Sequence, residues 1–254
     1  MRSHALFSAL VCLALSGCAS TLRVQPVAGP DQQTMYKDGT EAIVSKKRSV
    51  VAVRPSNNTY TSEQRPTFIV SVLNGTDKPI VFSTEDITAS ASGSPLKVFS
   101  YDELVAEVEN QRKWAAVAAA LSGAAQSMSA AQAGNQYTYG SYNANYYGNR
   151  GYSGYGYGTY SAYTYNPAAA AQAQAAANAQ MNQNFENINS SANAALSDLS
   201  RKILKKETVL PNEWHGGYVK LQQAPLPETS NSILLKVLLG DEEHSFEFMQ
   251  TKVK

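Results

Sequence analysis

Two stretches of this chain alternate apolar and polar residues as strands do, and between them the spacing changes to threes and fours. In residues 41–99, Phe68, Val70 and Val72 alternate with Ile69, Ser71 and Leu73, and residues 49–53 are rich in β-branched side chains. Asn74-Gly75 interrupts the pattern as a turn, because both residues tolerate positive φ. Residues 91–95 form a second turn cluster. Residues 207–254 return to the same idiom. Gly240-Asp241 separates two apolar runs, and Phe246 and Phe248 alternate with Glu247, as one buried and one wet face require. Neither block supplies enough strands for a closed core, whereas about seven together do. An immunoglobulin-like β-sandwich, split in sequence, follows.

The inserted residues, 100–206, read as a helical hairpin. Ser100-Tyr101-Asp102-Glu103 matches a capping box. The helix behind it carries Trp114, Leu121 and Met128 seven apart among alanines. Asn166 and Pro167 mark the start of a second helix, whose apolar line runs Met181, Phe185, Ile188, Ala192, Ala195, Leu199 and Ile203. Forty helical residues span roughly 60 Å, too long to hide inside a small sandwich, so the pair is expected to pack antiparallel and project. Its tip, 136–165, holds eleven of the fifteen tyrosines among Gly, Asn, Ser and Thr. Lacking aliphatic residues larger than alanine, it predicts a disordered or loosely ordered loop. Residues 18–40, with Pro26, Gly29, Pro30 and Gly39, read as a flexible tether.

Charge narrows the partners. With 21 Lys+Arg against 20 Asp+Glu, the chain lacks the basic stripe that nucleic-acid binding needs. Residues 1–17 have the layout of a secretory signal peptide: Arg2, an uncharged apolar run over residues 5–15, then two small residues before a cysteine. The run is far shorter than the roughly 20 residues of a spanning helix. Cys12 leaves with this leader, so Cys18 is the one cysteine left to the mature chain and no disulfide can form within it.

Leu15-Ser16-Gly17-Cys18 closely resembles the lipobox of bacterial lipoproteins. The resemblance implies that Cys18 is lipidated, palmitate being one such acyl chain, and becomes the first mature residue. In that family, aspartate after the cysteine retains the protein at the inner membrane. Ala19-Ser20 stands there in this chain, so the resemblance implies the outer membrane, with the periplasmic face expected over the cell surface.

Catalytic signatures are missing from the sequence: no Gly-x-Ser-x-Gly elbow and no phosphate loop, since the glycine-rich residues 151–158 lack both Lys-Ser/Thr and a strand–turn–helix setting. His215 and His244, with Glu213, Asp241, Glu242 and Glu243 nearby, are the candidate metal ligands. Neither spacing matches a zinc motif, and a site needs three or four convergent groups; no metal or other cofactor is expected. Trp214 reads as a staple holding its loop to the core. Tyr146, Tyr147, Tyr152, Tyr155 and Tyr157 are the candidate interaction residues, because tyrosine offers a flat apolar face and a hydroxyl together.

These readings converge on a non-catalytic, lipid-anchored envelope protein, an accessory, scaffold or assembly part of an envelope machine acting through its helical arm. The expected partners are the membrane and an envelope protein or a second copy, with no nucleic acid and no small-molecule substrate. The alternative is a surface or biofilm-matrix component whose tyrosine tract binds glycans or itself.

Overall fold

The computed structural model describes residues 20–37, 39–147, 149, 151 and 153–253, with the side chain of Tyr146 outside that set. Cys18 and Tyr152 therefore lie outside the described residues. The chain opens with β1 (Thr21–Val27), β2 (Gln32–Lys37), β3 (Thr40–Lys46), β4 (Val50–Pro55) and β5 (Thr59–Thr61). β6 (Thr67–Leu73), β7 (Ile80–Phe82), β8 (Ile87–Ala91), β9 (Ser94–Leu96) and β10 (Val98–Phe99) follow. Helix α1 (Tyr101–Gln132) leads to β11 (Asn135–Tyr147) and β12 (Ser153–Tyr165), and α2 (Pro167–Lys202) leads back to strands. These are β13 (Glu207–Val209), β14 (Trp214–Leu221), β15 (Ser230–Leu239) and β16 (Glu242–Lys252).

The fold is a β-sandwich with a helical hairpin inserted between its strand groups. Two compact units result, one of residues 1–105 with 197–254 and the other of residues 106–196. In the first unit, one six-stranded sheet runs β5-β1-β16-β15-β8-β9 and the other β10-β14-β6-β4-β3-β2, with neighbouring strands antiparallel. Strand alternation fills the space between them. Phe68, Val70 and Val72 come from β6, Ile233, Leu235, Val237 and Leu239 from β15, and Phe246 and Phe248 from β16, each at most 1% exposed. The two sequence blocks thus contribute to one core, as burial of a single apolar face on each sheet requires.

Two expectations about the chain path need correction, and a third point adds to the reading. Residues 21–37 are not a flexible tether. Leu22 and Val24 are buried at alternate positions of β1, which pairs with β16 from Leu22↔Lys252 to Val27↔Glu247. Pro26 is tolerated there because it keeps to an open side. The Val24 N–H donates to Asn58 O, so two residues on the proline nitrogen faces the same way, past the end of β5. The chain does break after β6 at Asn74-Gly75, and the next strand changes partners: β6 pairs with β4 and β14 while β7 pairs with β13. Asn74 is fully buried, its amide donating to the Lys78 and Val209 carbonyls. The insertion is narrower than residues 100–206. Leu104, Ile203 and Leu204 are all buried, Leu204 lies in the sandwich core, and its N–H donates to Tyr218 O on β14.

In the second unit, α1 and α2 run antiparallel, with Gly123 against Met181 and Ser127 against Gln174. A Cβ on Gly123 would stand 2.7 Å from the Met181 sulfur, so the bare backbone lets the helices close. Both helix starts are capped. Ser100 and Glu103 exchange side chain-to-backbone hydrogen bonds at 3.0 and 3.2 Å, and Asn166 Oδ1 accepts from the N–H groups of Ala168 and Ala169.

The tip is also corrected. Residues 135–147 and 153–165 form a two-stranded antiparallel sheet, paired from Asn135↔Tyr165 to Tyr147↔Ser153. Tyrosine and threonine have high β propensity. Cross-strand glycines make room as well. Gly140 sits opposite Tyr160 and Gly158 opposite Tyr142, and a Cβ at either glycine would meet the facing ring at 2.6 Å.

Candidate functional site

Helix geometry sorts the arm into a small-residue seam and a large-residue outer stripe. Ala119, Ala130, Ala170, Ala177 and Ala192 are buried. Trp114, Val117, Leu121 and Met128 are not, at 74, 49, 69 and 69% exposure. Trp114, Leu121 and Met128 are therefore not the internal seam that their seven-residue spacing suggests. Close approach of the two helices favours small side chains, which leaves the large ones outward. Spacing of three, four and seven residues is that of a coiled-coil contact line, and these four residues make such a line on the exposed side of α1 among the described residues.

The tyrosine hairpin has two unlike faces. Residues directly opposite in an antiparallel pair share a face. By this register Tyr137, Tyr139 and Tyr147 on β11 lie on the same side as Tyr155, Tyr157, Tyr163 and Tyr165 on β12. Each of these seven is at least 60% exposed. Tyr142 and Tyr160, which lie against glycines, are on the other side. Of the five candidate interaction tyrosines, Tyr147, Tyr155 and Tyr157 thus share one exposed aromatic surface. Tyr152 and the Tyr146 side chain lie outside the described residues.

His215 and His244 are not brought together. His244, on β16, points inward and is 1% exposed. Its Nδ1 lies 2.9 Å from Ser45 Oγ, and its Nε2 has no hydrogen-bond partner, 3.8 Å from Glu242 Oε2. Burial holds the imidazole below its ordinary pKa, and nearby Lys47 lowers it further against the opposing pull of Glu242. His215, on β14 in the other sheet, has Nδ1 3.0 Å from Glu207 and Nε2 3.2 Å from Lys205 O. Among the described residues, no group of three or more His, Cys, Asp and Glu side chains is placed to hold a metal.

Glu242 ties the sheets instead. Its carboxylate accepts from Arg48 Nε at 2.8 Å and from the Ser49 N–H at 3.0 Å, joining the β3–β4 turn to the β15–β16 turn. Burial alone would raise its pKa, but the Ser49 N–H and the Arg48 guanidinium outweigh that and hold it below the usual range. Arg48 also pairs with Asp241. In the basic run Lys46-Lys47-Arg48, Arg48 thus has carboxylate partners and Lys47 Nζ donates to the Glu243 carbonyl.

Trp214 is not a staple. It starts β14 at 59% exposure and belongs to the outward face of its sheet. Among the described residues no helix is long and apolar enough to cross a membrane. Neither a protein family, nor a curated protein, nor a solved structure matches this chain.

Proposed function

We propose that the protein is a non-catalytic, lipid-anchored component of the bacterial cell envelope, an accessory or scaffold part that assembles through its helical arm. Cys18 carries the lipid anchor in this reading, at the periplasmic face of the outer membrane. The anchor rests on the lipobox resemblance of residues 15–18. One acyl chain binds membranes only marginally, and the multi-chain modification of that family meets the requirement for stable anchoring.

The observation that supports an assembly role is the stripe of Trp114, Val117, Leu121 and Met128. Apolar residues at coiled-coil spacing and this exposure favour burial against another helix. The arm offers little charge to oppose association: between Ala115 and Asn184 the only charged residue is Arg150. The test is Leu121→Asp in the full chain, read by cross-linking in cells and by mass in solution. Loss of a cross-linked product, with the melting curve unchanged, is expected. Unchanged cross-linking overturns the arm as the contact.

A second reading is supported by the seven-tyrosine face of the β11–β12 hairpin. Exposed aromatic rings stack on sugar rings and on one another, which suits a surface or matrix component. Protease shaving of intact cells separates the two readings, since only a surface protein loses residues 135–165.

A further inference from the structure

An antiparallel sheet with one face to water reads apolar inward and polar outward. The sheet β10-β14-β6-β4-β3-β2 departs from that rule. Its inward residues fill the core, yet Val44, Val50, Ala52 and Ile69 occupy outward positions on β3, β4 and β6 and are half-buried. They floor a cleft of about 800 Å³ within the sandwich unit. Small-molecule sites span roughly 300–1,000 Å³ and are mainly apolar with a few convergent polar groups.

The walls and rim define what such a cleft accepts. Trp214 and Met35 stand at its sides, 59 and 48% exposed. Gly216 keeps the floor bare under β14. A Cβ on Gly216 would come within 2.5 Å of Val70 O, so no larger residue fits there without shifting the strands. Four cations surround the opening: Lys37, Arg54, Arg201 and Lys202. Arg54 donates to Thr40 Oγ1 at 2.5 Å, and Asp198 pairs with Arg201 at 2.7 Å and Lys202 at 3.2 Å. Among the described residues lining the cleft there is no Asp or Glu. The described lining thus carries four basic side chains and no acidic one.

We propose that this cleft binds a small amphipathic anion, its apolar or aromatic body on the valine floor against Trp214 and its carboxylate or phosphate at the cationic rim. Charge complementarity selects the anion, because guanidinium groups take oxyanions in charge-assisted hydrogen bonds. The apolar floor selects the body, because burying it removes both surfaces from water. The site lies within the first unit, with Arg201 and Lys202 supplied by the last turn of α2.

Calorimetry on the full chain tests this with dodecanoate, dodecyl phosphate, dodecanol and dodecylammonium, all below their micelle concentrations. Saturable binding of one or both anions is expected, at least about tenfold tighter than the alcohol, which is the worth of one charge-assisted contact. Comparing the two anions separates a carboxylate from a phosphate ligand. In a Trp114→Phe background, where Trp214 is the remaining tryptophan, its emission should shift to the blue on binding. Trp214→Ala and Ala52→Glu should each weaken binding about tenfold or more. Trp214→Ala, at an exposed side chain, decides if Ala52→Glu fails to fold. No saturable binding of either anion overturns the proposal, as does equal binding of alcohol and anion. Unchanged affinity in Trp214→Ala also overturns it. So does a fall in mass on Ala52→Glu with no probe bound, which would make the cleft a contact between copies.

Discussion

Phe68 on β6 and Phe248 on β16 meet with ring centroids 4.7 Å apart and planes tilted by 52°. They come from opposite sheets and from sequence blocks separated by the whole helical insertion. Offset or tilted rings at this distance add favourable electrostatics to the area they bury. The contact binds the two halves of the chain into one cooperative unit.

Truncating either ring should therefore cost the entire sandwich. Phe68→Ala or Phe248→Ala is expected to lower unfolding free energy by about 3–5 kcal/mol. Urea denaturation should show the midpoint falling while the transition remains single. A two-step transition would show that the halves fold separately.

Excising residues 106–196 with a short Gly/Ser linker should leave a folded β unit, since residues 1–105 and 197–254 form one compact body. The helical circular-dichroism signal should largely vanish and the sharp melt persist. Excising residues 100–206 should be worse, because Leu204 is 1% exposed within the core and goes with it. Equal melting of the two deletions would contradict this role for Leu204.

Acid should weaken the sandwich in two stages. His244 has a folded pKa below its unfolded value, so the unfolded chain takes up a proton first as pH falls below about 6.5. Stability then declines until the folded pKa is reached. Glu242 also has a folded pKa below its unfolded value. Its contribution is present above about pH 4.3 and is lost as pH falls through its folded pKa. Melting temperatures recorded from pH 7.5 to 4.5 should fall in wild type and flatten between pH 6.5 and 5 in His244→Gln. A parallel fall in the variant would place the titration elsewhere.

The arm should respond differently on its two sides. Gly123→Val places atoms where the Met181 side chain lies, and overpacking typically costs about 1–3 kcal/mol. Hydrogen exchange should show lost protection near residues 119–127. Leu121→Asp, at an exposed position, should leave that protection nearly unchanged. Similar losses in both variants would mean that the outer stripe also holds the arm.

The alternating strands and the helix caps were legible in the sequence because each is a local signal. Phe246, Phe248 and the β6 alternation place the core, and Ser100, Glu103 and Asn166 place the helix starts. β1 was not legible, since Pro26, Gly29 and Pro30 read as breakers and the pairing that overrides them lies more than two hundred residues away. The outer stripe misled for a related reason. Large residues at seam spacing look internal until the alanines and Gly123 take the contact. The cleft did leave a trace: residues 50–53, Val-Val-Ala-Val, form an unbroken apolar run. Such a run belongs to a strand covered on both faces, and here the second face is the outward one.

Early strand pairing in β1 has a consequence for the proposed anchor at Cys18. Thr21 already pairs with Thr61, and the Ser62 N–H donates to Ser20 O. Cys18 stands two residues before Ser20, the first residue tied to the sheet, and two residues span about 7 Å at most. With an acylated Cys18, so short a spacing would turn a three-dimensional search into a planar one. Under the proposed anchoring the sandwich would slide with its lipid at nearly fixed height, and encounters with the arm or the cleft would be governed by lateral density in the leaflet, not by concentration in the surrounding fluid.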